Sequence, residues 1–565
     1  MSILPFEREI IERGLGPILF TAAICLALVA ILSFVGGGYA SLAFVYLIKQ
    51  DVFLALLATA VVSASLLRLN NQNAEELSPR KIWIAAIAVA IVVLVGRHLI
   101  LLDYDMSRDE QMATFDAAIF RSGQLAAMLS EPWPHQAEAL NTDFMLPVAD
   151  RSAWVSGYLP INAAIRGIFD LVGASQLVGP LAVAVGALAL DACVRKIWPD
   201  QGAYRWIALL LYLGSGQVLI NGMTTYAMSL HLTLNLVWLS LFLERRTSCD
   251  VAALIVGFLA VGLHQPIFHP MFAAPILATL LLTKDWQRAA LYFVAYAVFG
   301  AFWAYWPSVT IELTGMPLPG DQQSYLTRLR SALDNGRPAG LLEMIANLLR
   351  FVTWQHLLLL PLLILGLRGA FRSALFASLA TGIILTIAVM TIILPYQGHG
   401  FGYRYLHGLI GSAILLAVHG WDRIGASRDR WSSLFKRTSI GTFVLLIPAQ
   451  LYFANAFHAP YARASHALDK LDSDYVVISG DAAPFAVDLV INEPFLQNRP
   501  IRLVEERLAT TTLSDLCAEG PDMIFVKEPF FDNIRSYYSL PALEDGALDN
   551  DKLTMAAQES GCIVR

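Results

Sequence analysis

The stretch Asp103-Tyr104-Asp105-Met106-Ser107-Arg108-Asp109-Glu110-Gln111 puts four carboxylates within eight positions. A carboxylate whose pKa is set by partial burial can take the proton of a hydroxyl, so Asp109, supported by Glu110, is the candidate general base. Asp103 and Asp105 have the oxygen chemistry and spacing to hold a divalent cation, Mg or Mn, or to hold Arg108 in place. Acids are also ordinary in a wet loop, and residue type alone leaves both readings open.

A second constellation is Pro395-Tyr396-Gln397-Gly398-His399-Gly400-Phe401-Gly402-Tyr403-Arg404-Tyr405-Leu406-His407. Arg404 has the fork geometry for a phosphate, and Tyr403 and Tyr405 have faces for a sugar. His399 and His407 add titratable nitrogen. The plainer alternative is an aromatic belt with a snorkelling arginine. A third group, His264-Gln265-Pro266-Ile267-Phe268-His269-Pro270, interrupts a long apolar run. Polar groups there must face a cavity or a partner, or simply cap a kink.

The elements that position these groups lie in a membrane. The chain has 565 residues, 56% hydrophobic and 15% charged, with a mean hydropathy of +0.57. Segments 18–34, 52–67, 82–102, 177–190, 206–220, 230–243, 251–282, 289–306, 351–367, 374–394, 406–418 and 439–453 are apolar without alternation. The run 251–282 reads as two spans broken at His264, so about thirteen helical spans are expected. A barrel would alternate every second residue.

Basic residues collect in alternate loops: Arg8/Arg13, Arg68/Arg80/Lys81, Arg195/Lys196/Arg205, Arg245/Arg246, Lys284/Arg288, Arg368/Arg372 and Arg423 to Arg437. The positive-inside rule places these, and the N-terminus, in the cytoplasm. Loops 103–155, 309–350 and 396–405 and the tail then face outward, as in a bacterial inner-membrane protein with a periplasmic C-terminal region. The first span reads as retained rather than cleaved. Within 103–170, a helix over 108–122 carries Met112, Phe115 and Ile119 on one face, a stripe expected to lie on the membrane surface.

Residues 1–456 read as the membrane domain and 457–565 as a small external α/β domain. Its expected strands are 475–479 and 523–527, and its expected short helices 482–492 and 513–518. Acids outnumber bases there, which argues against nucleic acid as a partner. Cys517 and Cys562 form a disulfide or remain two free thiols; sequence leaves this open.

Three features resemble the GT-C superfamily of membrane glycosyltransferases, in the branch holding protein O-mannosyltransferases and bacterial aminoarabinose transferases. They are Asp109-Glu110 opening an interfacial helix with Ala117-Ala118 behind it, Gly157-Tyr158-Leu159-Pro160 after the first large loop, and Tyr403-Arg404-Tyr405 before a late span. The resemblance implies an all-α polytopic fold and a polyprenyl-phosphate sugar as donor. It implies a glycan, lipid or protein as acceptor and inversion at the anomeric carbon. It assigns the base to Asp109, with Glu110 in support. Donor phosphate goes to Arg404, with Tyr158, His264, His399, Tyr403, Tyr405 and His407 around the substrate. The alternatives are a transporter or flippase for lipid-linked saccharides, which would show related halves, and a membrane scaffold that binds through its tail.

Overall fold

The computed structural model describes residues 16–36, 41–67, 79–146, 148–315, 340–425 and 428–565. Arg8, Arg13, Arg68 and most of the loop 309–350 lie outside the described residues.

Apolar runs form the helices α1 (Gly16–Gly36), α2 (Leu42–Leu66) and α3 (Pro79–Leu99). An extramembrane segment follows with α4 (Arg108–Arg121), an antiparallel pair β1 (Ala127–Met128) and β2 (Ala153–Trp154), and α5 (Ile161–Asp170). The bundle continues through α6 (Val178–Ile197), α7 (Gly202–Leu213), α8 (Gly216–Met223), α9 (Met228–Leu243) and α10 (Thr247–Val261). After the break at His264 come α11 (Phe268–Leu282) and α12 (Trp286–Glu312). The last helices of the bundle are α13 (Gly340–Thr353), α14 (Leu359–Ala370), α15 (Ala374–Ile393), α16 (Ile410–Asp422) and α17 (Arg428–Leu468).

Among the described residues seven helices are long and apolar enough to span a membrane alone, or eight if α7 and α8, bent by 55°, are one broken span. The other expected spans fall on shorter helices. Trp83, Ile84, Ile87 and Ile91 of α3 and Val294 and Val298 of α12 are bare on the outside, as lipid-facing positions should be. The chain is a multi-pass, mainly helical membrane protein.

The bundle has two chemically different ends. At one, basic loop residues pair with acids: Arg205 with Asp191 at 2.7 Å, Lys196 with Glu244 at 2.8 Å, and Arg288 with Asp250 at 2.6 Å. At the other end stand α4, the loop 395–403 and the C-terminal domain. That domain is a parallel sheet in the order β4-β3-β5-β6, built from β3 (Tyr475–Ile478), β4 (Ile501–Val504), β5 (Asp522–Phe525) and β6 (Ile563–Val564). Cys517 and Cys562 are joined in a disulfide beside it.

Three expectations need correction. The apolar stripe of α4 does not lie on the membrane: Met112, Phe115 and Ile119 share a buried cluster with Trp133, Trp154 and Leu503 of the C-terminal domain. A cover contributed by residues so distant in the chain has no local signature. The boundary at 456/457 falls inside α17, which carries on to Leu468 and makes the connection rigid. The expected helix 482–492 is reduced to a single 3-10 turn, Ala486–Leu489. Strand β4 was unmarked in the sequence because Arg502 interrupts its apolar residues. That arginine is buried and donates to the Ser465 and Leu489 carbonyls at 3.0 and 2.8 Å.

Candidate active site

Helix α4 starts sharply. Ser107 caps it and Glu110 returns a hydrogen bond to the Ser107 backbone N–H at 3.2 Å, a capping box that fixes the first turn. Asp109, in that turn, therefore leaves the helix in a set direction. Arg108 anchors the same turn, donating to the Asn141 and Asp143 carbonyls at 2.7 and 3.2 Å.

The loop 395–403 is held by side-chain amides and a guanidinium on its carbonyls. Asn347 donates to Pro395, Arg350 to Gly400, Asn221 to Phe401 and Gln217 to Tyr403, all between 2.7 and 2.9 Å. Two glycines are needed here. Gly402 has φ +69°, and a Cβ on Gly400 would sit 2.6 Å from Cδ of Arg404. Gln397 accepts from the Arg404 N–H at 3.1 Å. The arginine is thus aimed by a loop with few remaining freedoms.

These two supports bring Arg404 Nη1 to 2.8 Å from Asp109 Oδ2, across 295 residues of sequence. Tyr158 donates its hydroxyl to the other carboxylate oxygen, Oδ1. His264 stacks on Tyr158 with ring centroids 4.2 Å apart. The guanidinium lies over the Tyr226 and Tyr405 rings at 5.1 and 5.7 Å. Burial pushes the Asp109 carboxyl up, but Arg404 outweighs it with help from His264 and Tyr158. Its pKa therefore falls below the usual carboxylate value. Asp109 is a carboxylate whose counter-charge is Arg404.

Asp109, Arg404, Tyr405, Tyr226, His264 and His231 line a cavity of about 50 Å³ together with Phe268, Thr386 and Leu409. Polar side chains and residues of the apolar helices α11 and α15 thus share one lining.

Not every expected residue reaches this cavity. Glu110 turns back into its capping box with Oε1 buried and unpartnered. Burial, followed by Asp105, pushes its pKa up to about 8, and its side chain is turned into the helix cap rather than into the cavity. Tyr403 and His407 are buried behind the loop, their hydroxyl and ring nitrogens without partners. His399 packs on Phe485 and lies 3.9 Å from Asp488 of the C-terminal domain. Asp103 and Asp105 share Arg97, at 3.8 and 3.3 Å, and Asp103 also meets His98 at 2.6 Å. Their oxygens are turned to Arg97 and His98 rather than to a common point, so the pair does not fit a divalent cation. Among the described residues no cluster of three or more His, Cys, Asp or Glu side chains is placed to hold one.

Several residues of the site were not read from the sequence, His231 among them. Tyr226 bridges it, with its hydroxyl 2.6 Å from Ser107 Oγ and donating to the His399 carbonyl at 3.2 Å. Asp488, whose pKa burial pushes up to about 7, brings the C-terminal domain to the site's edge. Its carbonyl accepts from Gln111 at 2.7 Å. The remaining sequence signal was Thr224-Thr225-Tyr226, a polar step between two apolar helices.

No protein-family model matches the chain, and no curated protein matches it. Among solved structures it is similar to ArnT from Cupriavidus metallidurans in the apo state, with 13% identity over 74% of this chain and 86% of that one, at a TM-score of 0.47. It is also similar to ArnT from the same organism bound to undecaprenyl phosphate, with 14% identity, the same coverage and a TM-score of 0.49. At that level of likeness no residue role is transferred.

Proposed function

We propose that this protein is an integral membrane glycosyltransferase that moves a sugar from a polyprenyl-phosphate donor to an acceptor hydroxyl on the outer face of the membrane. The reading is carried by one observation: a carboxylate and an arginine, paired directly at 2.8 Å, line a cavity whose other walls include residues of apolar helices. A donor with a phosphate between sugar and prenyl chain matches that mixture of surfaces.

In the free protein the Arg404–Asp109 ion pair closes a cavity with room for only a few waters, at roughly 10–15 Å³ each. Donor phosphate takes over Arg404, and Asp109 loses its counter-charge and becomes more basic. Asp109 then accepts the proton of the acceptor hydroxyl as that oxygen bonds to the anomeric carbon. The bond from that carbon to the phosphate oxygen breaks, and its electron pair leaves with the lipid phosphate. Direct displacement inverts the anomeric centre. Arg404 acts where charge grows on the departing phosphate, in surroundings of low polarity where such stabilisation counts most. Tyr158 holds the carboxylate in place.

The positive-inside rule supports the reading's membrane sides: the basic loops go to the cytoplasm with the N-terminus, and α4 and the C-terminal domain to the outer side of a bacterial inner membrane.

Membranes carrying the wild type or Asp109→Asn, supplied with labelled polyprenyl-phosphate sugars, test the reading. The variant should accumulate normally and lose transfer. Normal transfer by the variant would remove Asp109 from the chemistry.

A further inference from the structure

A second cavity, of about 490 Å³, flanks α4 farther along, beside Thr114 and Ala117, and shares no lining residue with the first. Its charged groups come from the end of α3, from α5 and from the loop between them. Arg97 is engaged: it donates to the Met223 carbonyl at 3.1 Å and faces Asp105 and Asp103. His98 meets Asp103, and Asp170 meets Arg121 at 2.7 Å. Each carboxylate on this wall therefore already has a cation.

Arg166 is the exception. Its side chain lines the cavity, the residue is 4% exposed, and its Nε donates to Asn162 Oδ1 at 3.2 Å. Among the described residues neither Nη group has an acceptor. Burial pushes its pKa down to about 10, so it stays charged at neutral pH. A buried guanidinium with two free nitrogens facing a roomy cavity lacks its anion. Ser175, Gln176, Thr224 and Thr225 add neutral polar lining, and the cavity borders the first turn of the 20-residue α6, whose dipole favours negative charge.

The chain neighbours of these lining residues are bare and apolar. Leu99 is 67% exposed, Ile168 65%, Leu171 67% and Val172 78%. A polar, cationic cavity whose chain neighbours are exposed and apolar suits the boundary between lipid headgroups and hydrocarbon.

We propose that this cavity is a binding site for the phosphate headgroup of an anionic membrane lipid, held by Arg166 with Arg97 behind it and with its acyl chains along those apolar neighbours. The site stands apart from the transfer reading, since binding needs no sugar and no Asp109. Arg166 is the binding residue here, and Arg97, already paired with Asp105, adds positive charge behind it.

The full chain in phosphatidylcholine nanodiscs is titrated with dioleoyl phosphatidic acid, with dioleoylglycerol and with inorganic phosphate, and bound ligand is read by native mass spectrometry. The wild type should retain phosphatidic acid and not dioleoylglycerol. Arg166→Gln should weaken that retention by about tenfold or more, in keeping with loss of a charge-assisted pair. Thr114→Met, which fills the cavity without touching Arg166, should weaken it as well, with an unchanged melting temperature certifying the fold. Phosphatidic acid retained equally by both variants, or dioleoylglycerol retained as well as phosphatidic acid, overturns the site. Inorganic phosphate bound as tightly as the lipid overturns the headgroup assignment.

Discussion

Among the described residues, two arginine–aspartate pairs toward the same end of the bundle, Asp51–Arg350 and Asp109–Arg404, serve opposite purposes. In one, Asp51 of α2 meets Arg350 of α13 at 3.2 Å, and both side chains are 1% exposed. Asp51 also accepts from Trp354 Nε1 and Thr353 Oγ1 at 3.0 Å, while Arg350 lies 3.9 Å from the Tyr46 ring centroid. Protein closes around both side chains. In the other, Asp109 and Arg404 are 14% and 9% exposed and line a cavity. The same two functional groups are a brace when protein closes around them and a candidate reaction centre when one flank stays open. The brace also serves the site, because Arg350 Nη2 holds the Gly400 carbonyl at 2.9 Å in the loop that aims Arg404.

The sharpest way to separate the pairs is to neutralise each acid. Asp109→Asn should reduce transfer by about 10²- to 10⁴-fold, the usual worth of a general base, with little change in melting temperature. Asp51→Asn should do the reverse. It leaves a buried arginine without its counter-charge, a loss of about 3–5 kcal/mol of stability, seen as reduced yield and a lower melting temperature in detergent. If Asp51→Asn matched Asp109→Asn in specific activity and stability alike, the division of labour would be wrong.

Arg404→Lys sharpens the open pair. It keeps the charge but loses the planar fork, so transfer should fall by about tenfold or more, and donor phosphate should bind less tightly. An unchanged rate would make Arg404 a belt residue. The smallest effect concerns Glu110. Its folded pKa is raised to about 8 from an ordinary value of 4.5. The folded protein therefore holds a proton that the unfolded chain releases, and stability falls as pH rises from about 4.5 to about 8. Asp116 and Asp488, each pushed up to about 7 by burial, act in the same sense. Glu110→Gln should flatten the slope of melting temperature against pH over that window while keeping transfer. A slope equal to the wild type would mean that Glu110 is ionised in the folded protein.

Much of the candidate site was legible because its parts sit at the edges of apolar runs. Asp109 follows one span and Arg404 precedes another, so each stood out by contrast with its neighbours. Asp51 did not. The expected span began at Val52, which left Lys49, Gln50 and Asp51 as loop. The helix in fact runs from Leu42 to Leu66 and carries the acid inside it. A charge within a helix of that length needs a partner, and that partner, Arg350, lies 299 residues away. Arg166 was missed for a related reason: among Ile161, Ile165 and Ile168 it reads as the polar side of a surface helix, and only packing shows that this side is buried.

The residues by themselves determined that this chain lives in a membrane, where its helices break, and which loops are basic, because each of these depends on composition within one turn or one span. Only the tertiary structure decided which arginine meets which aspartate, which polar loop residues face a cavity, and what covers the apolar stripe of α4. Those outcomes depend on burial and on partners hundreds of residues apart, and no local pattern carries that information.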